Sequence, residues 1–279
     1  MSLVLVHAPS TTLKPAASTL RYFSLKYKNP ADLQFKNAAY VQQAFNQEQL
    51  ASLPKLGEPE VIVSGRANAG KSTLLNMLLG GKLATTSKTA GHTKSLKFFR
   101  LDVALASSTR VRPVLLVDAP GYGSRGRVEW GELFNHYIAE RKQLQRIYIC
   151  FNTKHLLNAV DLGMLEHLAS VLTSRSESLP PWSIQPILTK IDTVPLAHGR
   201  EHIVQMQEQI RGAVGTQAGL VRHPLVTGMS GSTPVGVENV RNDLAELSGI
   251  WGDAAPTVLA KEGVVQDDPP SRQSLRLVE

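Results

Sequence analysis

The chain has 279 residues, 42% of them hydrophobic and 19% charged, with a net charge of +7. That balance is ordinary for a globular protein and is large enough to bury a full core, as one large domain or two small ones. No apolar run reaches about 18 residues, so no membrane insertion is expected. The single cysteine, Cys150 in the apolar run IYICF, excludes an internal disulfide, suits a reducing compartment and reads as a buried thiol.

In chain order, the first 31 residues hold Lys14, Arg21, Lys26 and Lys28, many serines and threonines, and no acid before Asp32. This is the composition of an organelle transit peptide, and RYFS at 21–24 resembles a mitochondrial processing site. The alternative is a disordered basic N-terminus. VIVSG at 61–65 reads as a buried strand and STLLNMLLG at 72–80 as a helix ending at Gly80. SLKFFRLDV and PVLLVDAPG form two extended runs around a hairpin loop, and GELFNHYIAERKQL is an amphipathic helix. Strand RIYICFN, helix DLGMLEHLASVL, strand WSIQPILTKID, helix HGREHIVQMQEQIRGAV, strand and loop HPLVTGMSG, and helix GVENVRNDLAEL follow. Alternating short buried strands and helices predict an α/β fold with a mostly parallel sheet covered on both faces. The tail from about residue 251 lacks periodicity, contains Pro269-Pro270 and reads as disordered.

GRANAGKS at 65–72 fits G-x-x-x-x-G-K-[ST], placed after a strand and opening a helix. Gly65 and Gly70 leave room for phosphates to meet backbone N–H groups, including those of Asn68 and Ala69 and of the helix start at Thr73. Lys71 reaches the outer phosphates and the Ser72 hydroxyl binds Mg2+. DAPG at 118–121 places Asp118 at a strand's carboxyl end, where it can hold magnesium through water, and the Gly121 N–H can sense a terminal phosphate. TKID at 189–192 also ends a strand. There Asp192 can accept from both N1 and N2 of guanine, selecting GTP over ATP, while the Lys190 stem covers the base.

These residues resemble the P-loop GTPases (Ras-like G domain) and, more closely, the EngB/YihA-type ribosome-biogenesis GTPases, from about Phe35 to Leu247. PEVIVSGRANAGKSTLLN, AGHTKSLKFF, DAPGYG and LTKID carry the likeness, including Thr189 where many GTPases have Asn. The resemblance implies a G domain at 55–250 behind an N-terminal extension at 32–54. It implies that Thr93 binds magnesium with GTP present, in a first switch at 84–97, and that 118–130 form the second switch. Lys71, Thr93 and Gly121 would then touch the transferred phosphoryl group. Ser230-Gly231 would form the last guanine loop, Gly231 through its N–H. His92, Lys94, Ala90, Gly231 and Asn152 depart from the family pattern.

Position 122, where signalling GTPases place a water-orienting glutamine, is Tyr122, so slow hydrolysis is expected. Asn68 resembles a potassium ligand of cation-activated relatives, or else it only stabilises the loop. Arg66 reads as structural. The cofactors expected are GTP/GDP, Mg2+ and, through Asn68, K+. Lys82, Lys88, Lys94, Lys97, Arg100, Arg125, Arg127, Arg141, Lys142 and Arg146 suggest a basic face for rRNA of the large ribosomal subunit, or an ordinary solvated surface. The resemblance favours a monomeric assembly factor in the mitochondrial matrix, with the cytoplasm as the alternative. Two rivals remain: a GTP-dependent scaffold in a non-ribosomal pathway, and a P-loop kinase. Asp161 and Glu166 cap and solvate a helix, Trp182 packs in the core, and no zinc site is expected.

Overall fold

The computed structural model describes residues 32–53, 57–84, 95–123 and 128–253. The transit-peptide reading, the tail beyond 253, most of the first switch with Thr93, and residues 124–127 of the second lie outside these residues.

Among the described residues seven strands make one sheet in the order β1-β3-β4-β2-β5-β6-β7. They are β1 Leu33–Ala44, β2 Glu60–Gly65, β3 Leu96–Leu105, β4 Val111–Asp118, β5 Leu144–Asn152, β6 Ser183–Thr189 and β7 Leu225–Val226. From β4 through β7 every pairing is parallel, whereas β1–β3 and β3–β4 are antiparallel. A second, small hairpin joins β8 Gly228–Ser230 to β9 Thr233–Val235. The main helices are α1 Gln47–Ala51, α2 Lys71–Leu79, α3 Val128–Glu140, α4 Ala159–Ser174, α5 Leu196–Val214 and α6 Val237–Ser248.

The buried strands alternate their apolar side chains between two cores. Ile62, Val117 and Ile149 face α3, α4 and α5, while Val61, Val63 and Cys150 face α2 and α6. This is the covered, largely parallel α/β sheet that the sequence predicts. Trp182 is fully buried and donates from Nε1 to the Ile138 carbonyl at 2.8 Å.

The segment 32–54, read as an extension ahead of the G domain, supplies the sheet's edge strand. β1 pairs with β3 in three registers separated by two shifts, and Asn37 adopts φ 49° at the first shift. A bulge flips the inward set of side chains, so no single two-residue period spans β1.

The carboxyl ends of β2, β4, β5 and β6 meet at one edge of the sheet. The chain leaves central β2 towards β4 on one side and β5 on the other, so that edge is the crevice where ligands bind in open α/β sheets.

Candidate functional site: a phosphate loop with a base-reading strand end

Gly65 ends β2 with no room for a side chain. A Cβ there would stand 2.7 Å from the Cys150 carbonyl oxygen. The chain then turns through Asn68 at φ 63° and Gly70 at φ 92° into α2. A Cβ on Gly70 would press on Thr189 Oγ1 at 3.1 Å. With glycine at its start, α2 has no side-chain cap, so its first N–H groups stay available to an anion. Lys71 Nζ points back into the loop, donating to Gly65 O at 3.1 Å and Arg66 O at 3.4 Å. Burial lowers the Lys71 pKa, so a bound anion would restore what the lysine lacks.

The third motif clamps the first. The Thr189 hydroxyl lies 2.6 Å from Ala69 O and 3.1 Å from Phe151 O, tying the end of β6 to the loop and to β5. Lys190, in the left-handed conformation at φ 59°, lays its ammonium 2.9 Å from Asn68 O. Asp192 sits in the short turn Ile191–Thr193, and its Oδ1 accepts from the Met229 N–H at 2.9 Å. A Cβ on Gly228 would fall 2.7 Å from that same oxygen. The residues brought against the Asp192 carboxylate are therefore Gly228 and Met229. Ser230 and Gly231, read from the sequence as the last guanine loop, lie further on, at the exposed tip of the β8–β9 hairpin. The offset arises because β7 ends at Val226 and the second and third residues after it already reach Asp192.

At the second motif, Asp118 ends β4 beside β2. Burial raises its pKa to about 6, against the pull of Lys71 and Lys97. A carboxylate so desolvated, next to an uncapped helix start, suits a divalent cation, with the Ser72 hydroxyl as the other described oxygen donor. Gly121 packs on the loop, where a Cβ would meet Lys71 Nζ at 3.0 Å and Ala67 N at 3.2 Å. The structure thus brings Gly65, Asn68, Ala69, Gly70, Lys71, Ser72, Thr73, Asp118, Gly121, Thr189, Lys190 and Asp192 to one edge. Beside the loop lies a cavity of about 470 Å3 lined by Arg66, Asn68, Asn152, His155, Asn158 and Asp161 among others.

Several expectations change. Tyr122 is 2% exposed, and its hydroxyl donates to Asp161 Oδ1 at 3.0 Å. Asp161 does cap α4, in a reciprocal box with Asn158, but it also takes Arg66 at 3.7 Å. Of the proposed basic face, Arg141 and Arg146 are buried in ion pairs with Glu60 and Asp243. Both lie near the amino end of β5, opposite the strand ends that carry Gly65 and Asp118. Arg100 pairs with Glu58 and Asp102. Lys82 and Lys142 stay exposed, and Lys88, Lys94, Arg125 and Arg127 fall outside the described residues. Among the described residues no group of histidine, cysteine and acid side chains forms a metal cluster, and no helix is long and apolar enough to cross a membrane.

A lysine-bearing phosphate loop, a strand-end aspartate and a TKxD turn on a mostly parallel sheet define a P-loop nucleotide-binding protein with a GTPase-type G domain. The family of 50S ribosome-binding GTPases matches residues 60–180. Over 204 residues the chain is 31% identical to the probable GTP-binding protein EngB of Rhizobium johnstonii, covering 71% of this chain and 87% of that protein. Over 208 residues it is 32% identical to the protein of the same name from Rhodopseudomonas palustris, covering 71% and 84%. The chain belongs to the EngB family of GTPases. A crystal structure of Toc33 from Arabidopsis thaliana, a dimerization-deficient mutant, superposes with a TM-score of 0.51 at 13% identity, covering 72% of this chain and 86% of that one. That likeness concerns the fold.

Proposed function

We propose that this chain is a GTP-operated switch that binds GTP and GDP with magnesium, hydrolyses GTP slowly, and in its GTP form docks on the large ribosomal subunit. The observation that carries the nucleotide reading is the clamp between motifs. Thr189 and Lys190 bond to the phosphate loop, and Asp192, two residues on and held by the Met229 N–H, would meet the base. A guanine offers two N–H donors to that carboxylate and adenine offers no such pair. Ser72 and Asp118, with Thr93 from the first switch, would hold the magnesium ion. That ion neutralises charge shared by the outer phosphates. Asn68, in the left-handed conformation at the loop's turn, is the candidate potassium ligand.

Tyr122 is committed to Asp161, so the chain has no water-orienting group at the position where signalling GTPases carry one. The catalytic rate of the isolated protein is accordingly low. The ribosomal client is supported by the description of the matched family, and the mitochondrial matrix by the acid-free, basic N-terminal composition. With Arg141 and Arg146 turned inward, charge alone lends the rRNA contact less support than the sequence suggested.

The test is sedimentation of purified protein with large ribosomal subunits, in a non-hydrolysable GTP analogue and in GDP. Co-migration in the analogue alone supports the reading. Migration at the top in both, with GTP turnover intact, removes the ribosome and leaves a GTPase acting in another pathway.

A further inference from the structure

Two buried groups beside the phosphate loop, Tyr122 and Asp161, are bonded to each other. Tyr122 follows Gly121, the glycine whose N–H would meet a terminal phosphate. Its backbone N–H donates to Gly65 O at 3.3 Å, so Tyr122 and Arg66 lie side by side as a short parallel bridge. Its hydroxyl reaches Asp161 Oδ1 at 3.0 Å. Asp161 is itself only 3% exposed. Its other oxygen accepts the Asn158 N–H at 3.2 Å and faces the Arg66 guanidinium at 3.7 Å. The carboxylate therefore joins the phosphate loop, the second switch and the first turn of α4.

We propose that Tyr122 and Asp161 are positioning residues that fix the Gly121 N–H at the distance from the phosphate loop that a terminal phosphate requires. The inference rests on the GTP reading above. Releasing the hydroxyl would leave a buried carboxylate oxygen short of a donor, so the anchor persists through the nucleotide cycle. Gly123, the next residue after Tyr122, is left-handed at φ 78° and packs against Val160 and Arg66. Gly121 stays in place as a fixed reader of the phosphate. GDP, lacking that phosphate, does not use the reader.

The experiment measures equilibrium affinity of the full chain for magnesium-GDP and for a magnesium-bound non-hydrolysable GTP analogue, in the native protein and in Tyr122→Phe. The substitution removes one oxygen and keeps the ring. The analogue should bind about tenfold more weakly while GDP affinity stays within about twofold, which also shows that the variant is folded. In an Asp161→Ala background, Tyr122→Phe should have no further effect on the analogue, because the two groups act through one bond. Equal losses for both nucleotides, or no loss for either, overturn the proposal. A native protein that binds neither nucleotide overturns the GTP reading itself, before any variant is compared.

Discussion

Asp192→Asn replaces one carboxylate oxygen with an amide and leaves the turn at Ile191–Thr193 intact. The remaining Oδ1 can still accept the Met229 N–H, now at 2.9 Å. The Nδ2 group then faces the base. Guanine presents two donors there, so two hydrogen bonds to a charged acceptor are lost and donor meets donor. At about 1.5–3 kcal/mol for each such bond, the loss is about 3–6 kcal/mol. That corresponds to roughly 10^2- to 10^4-fold in GDP affinity. Xanthine carries an oxygen where guanine has its amino group, so the same Nδ2 becomes a partner and xanthosine diphosphate should gain. The assay is competitive titration of GDP and xanthosine diphosphate against a fluorescent guanine nucleotide. Thermal unfolding should be nearly unchanged, because the turn and its bond to Met229 survive. GDP selectivity that is untouched in the variant would refute the assignment of Asp192 as the base reader.

Three other outcomes follow from the packing. Glu60 is 1% exposed and receives Arg141 Nη2 at 2.6 Å and the Tyr137 hydroxyl at 2.6 Å, so Arg141→Ala should lower stability in denaturant by about 3–5 kcal/mol, whereas Arg141→Met with Glu60→Leu should recover most of it. Asp118 has a folded pKa of about 6 against an ordinary 3.8, so the nucleotide- and metal-free protein holds extra protons between those values and loses stability as pH rises through that window. The full shift is worth about 3 kcal/mol, reduced to about 1–2 because the carboxylate is partly exposed; Asp118→Asn should raise the thermal midpoint at pH 7.5, with the gain fading below pH 6 towards pH 4, and should abolish magnesium-dependent nucleotide binding. Thr189→Ala removes the hydroxyl beside Ala69 O and Phe151 O and should weaken GDP binding severalfold with a stability loss of about 1–2 kcal/mol, read by titration and calorimetric unfolding.

The motifs were legible because the chemistry leaves little choice of residue. Only glycine fits at 65, against the Cys150 carbonyl, and only a strand-end carboxylate can read two base N–H groups. The core strands were legible because both faces are buried and the apolar run is continuous, as in IYICF. β1 was not, because it lies at the sheet edge with two register shifts that break its period. Ser230 and Gly231, read as the guanine loop by counting back from Gly236, stand two residues beyond the contact of Gly228 and Met229 with Asp192, because the β8–β9 hairpin occupies that interval. The basic face was overread because Arg141 and Arg146 look like surface charges in sequence. Their acids, Glu60 and Asp243, stand 81 and 97 residues away. Tyr122 signalled the missing glutamine, but its bond to Asp161 crosses 39 residues and needed the fold.

The most direct measurement is a calorimetric titration of the purified chain with magnesium-GDP and, separately, magnesium-ADP. The account predicts saturable one-to-one GDP binding that Lys71→Ala eliminates, and no heat from ADP. Equal binding of the two nucleotides, or no binding of GDP, would contradict it.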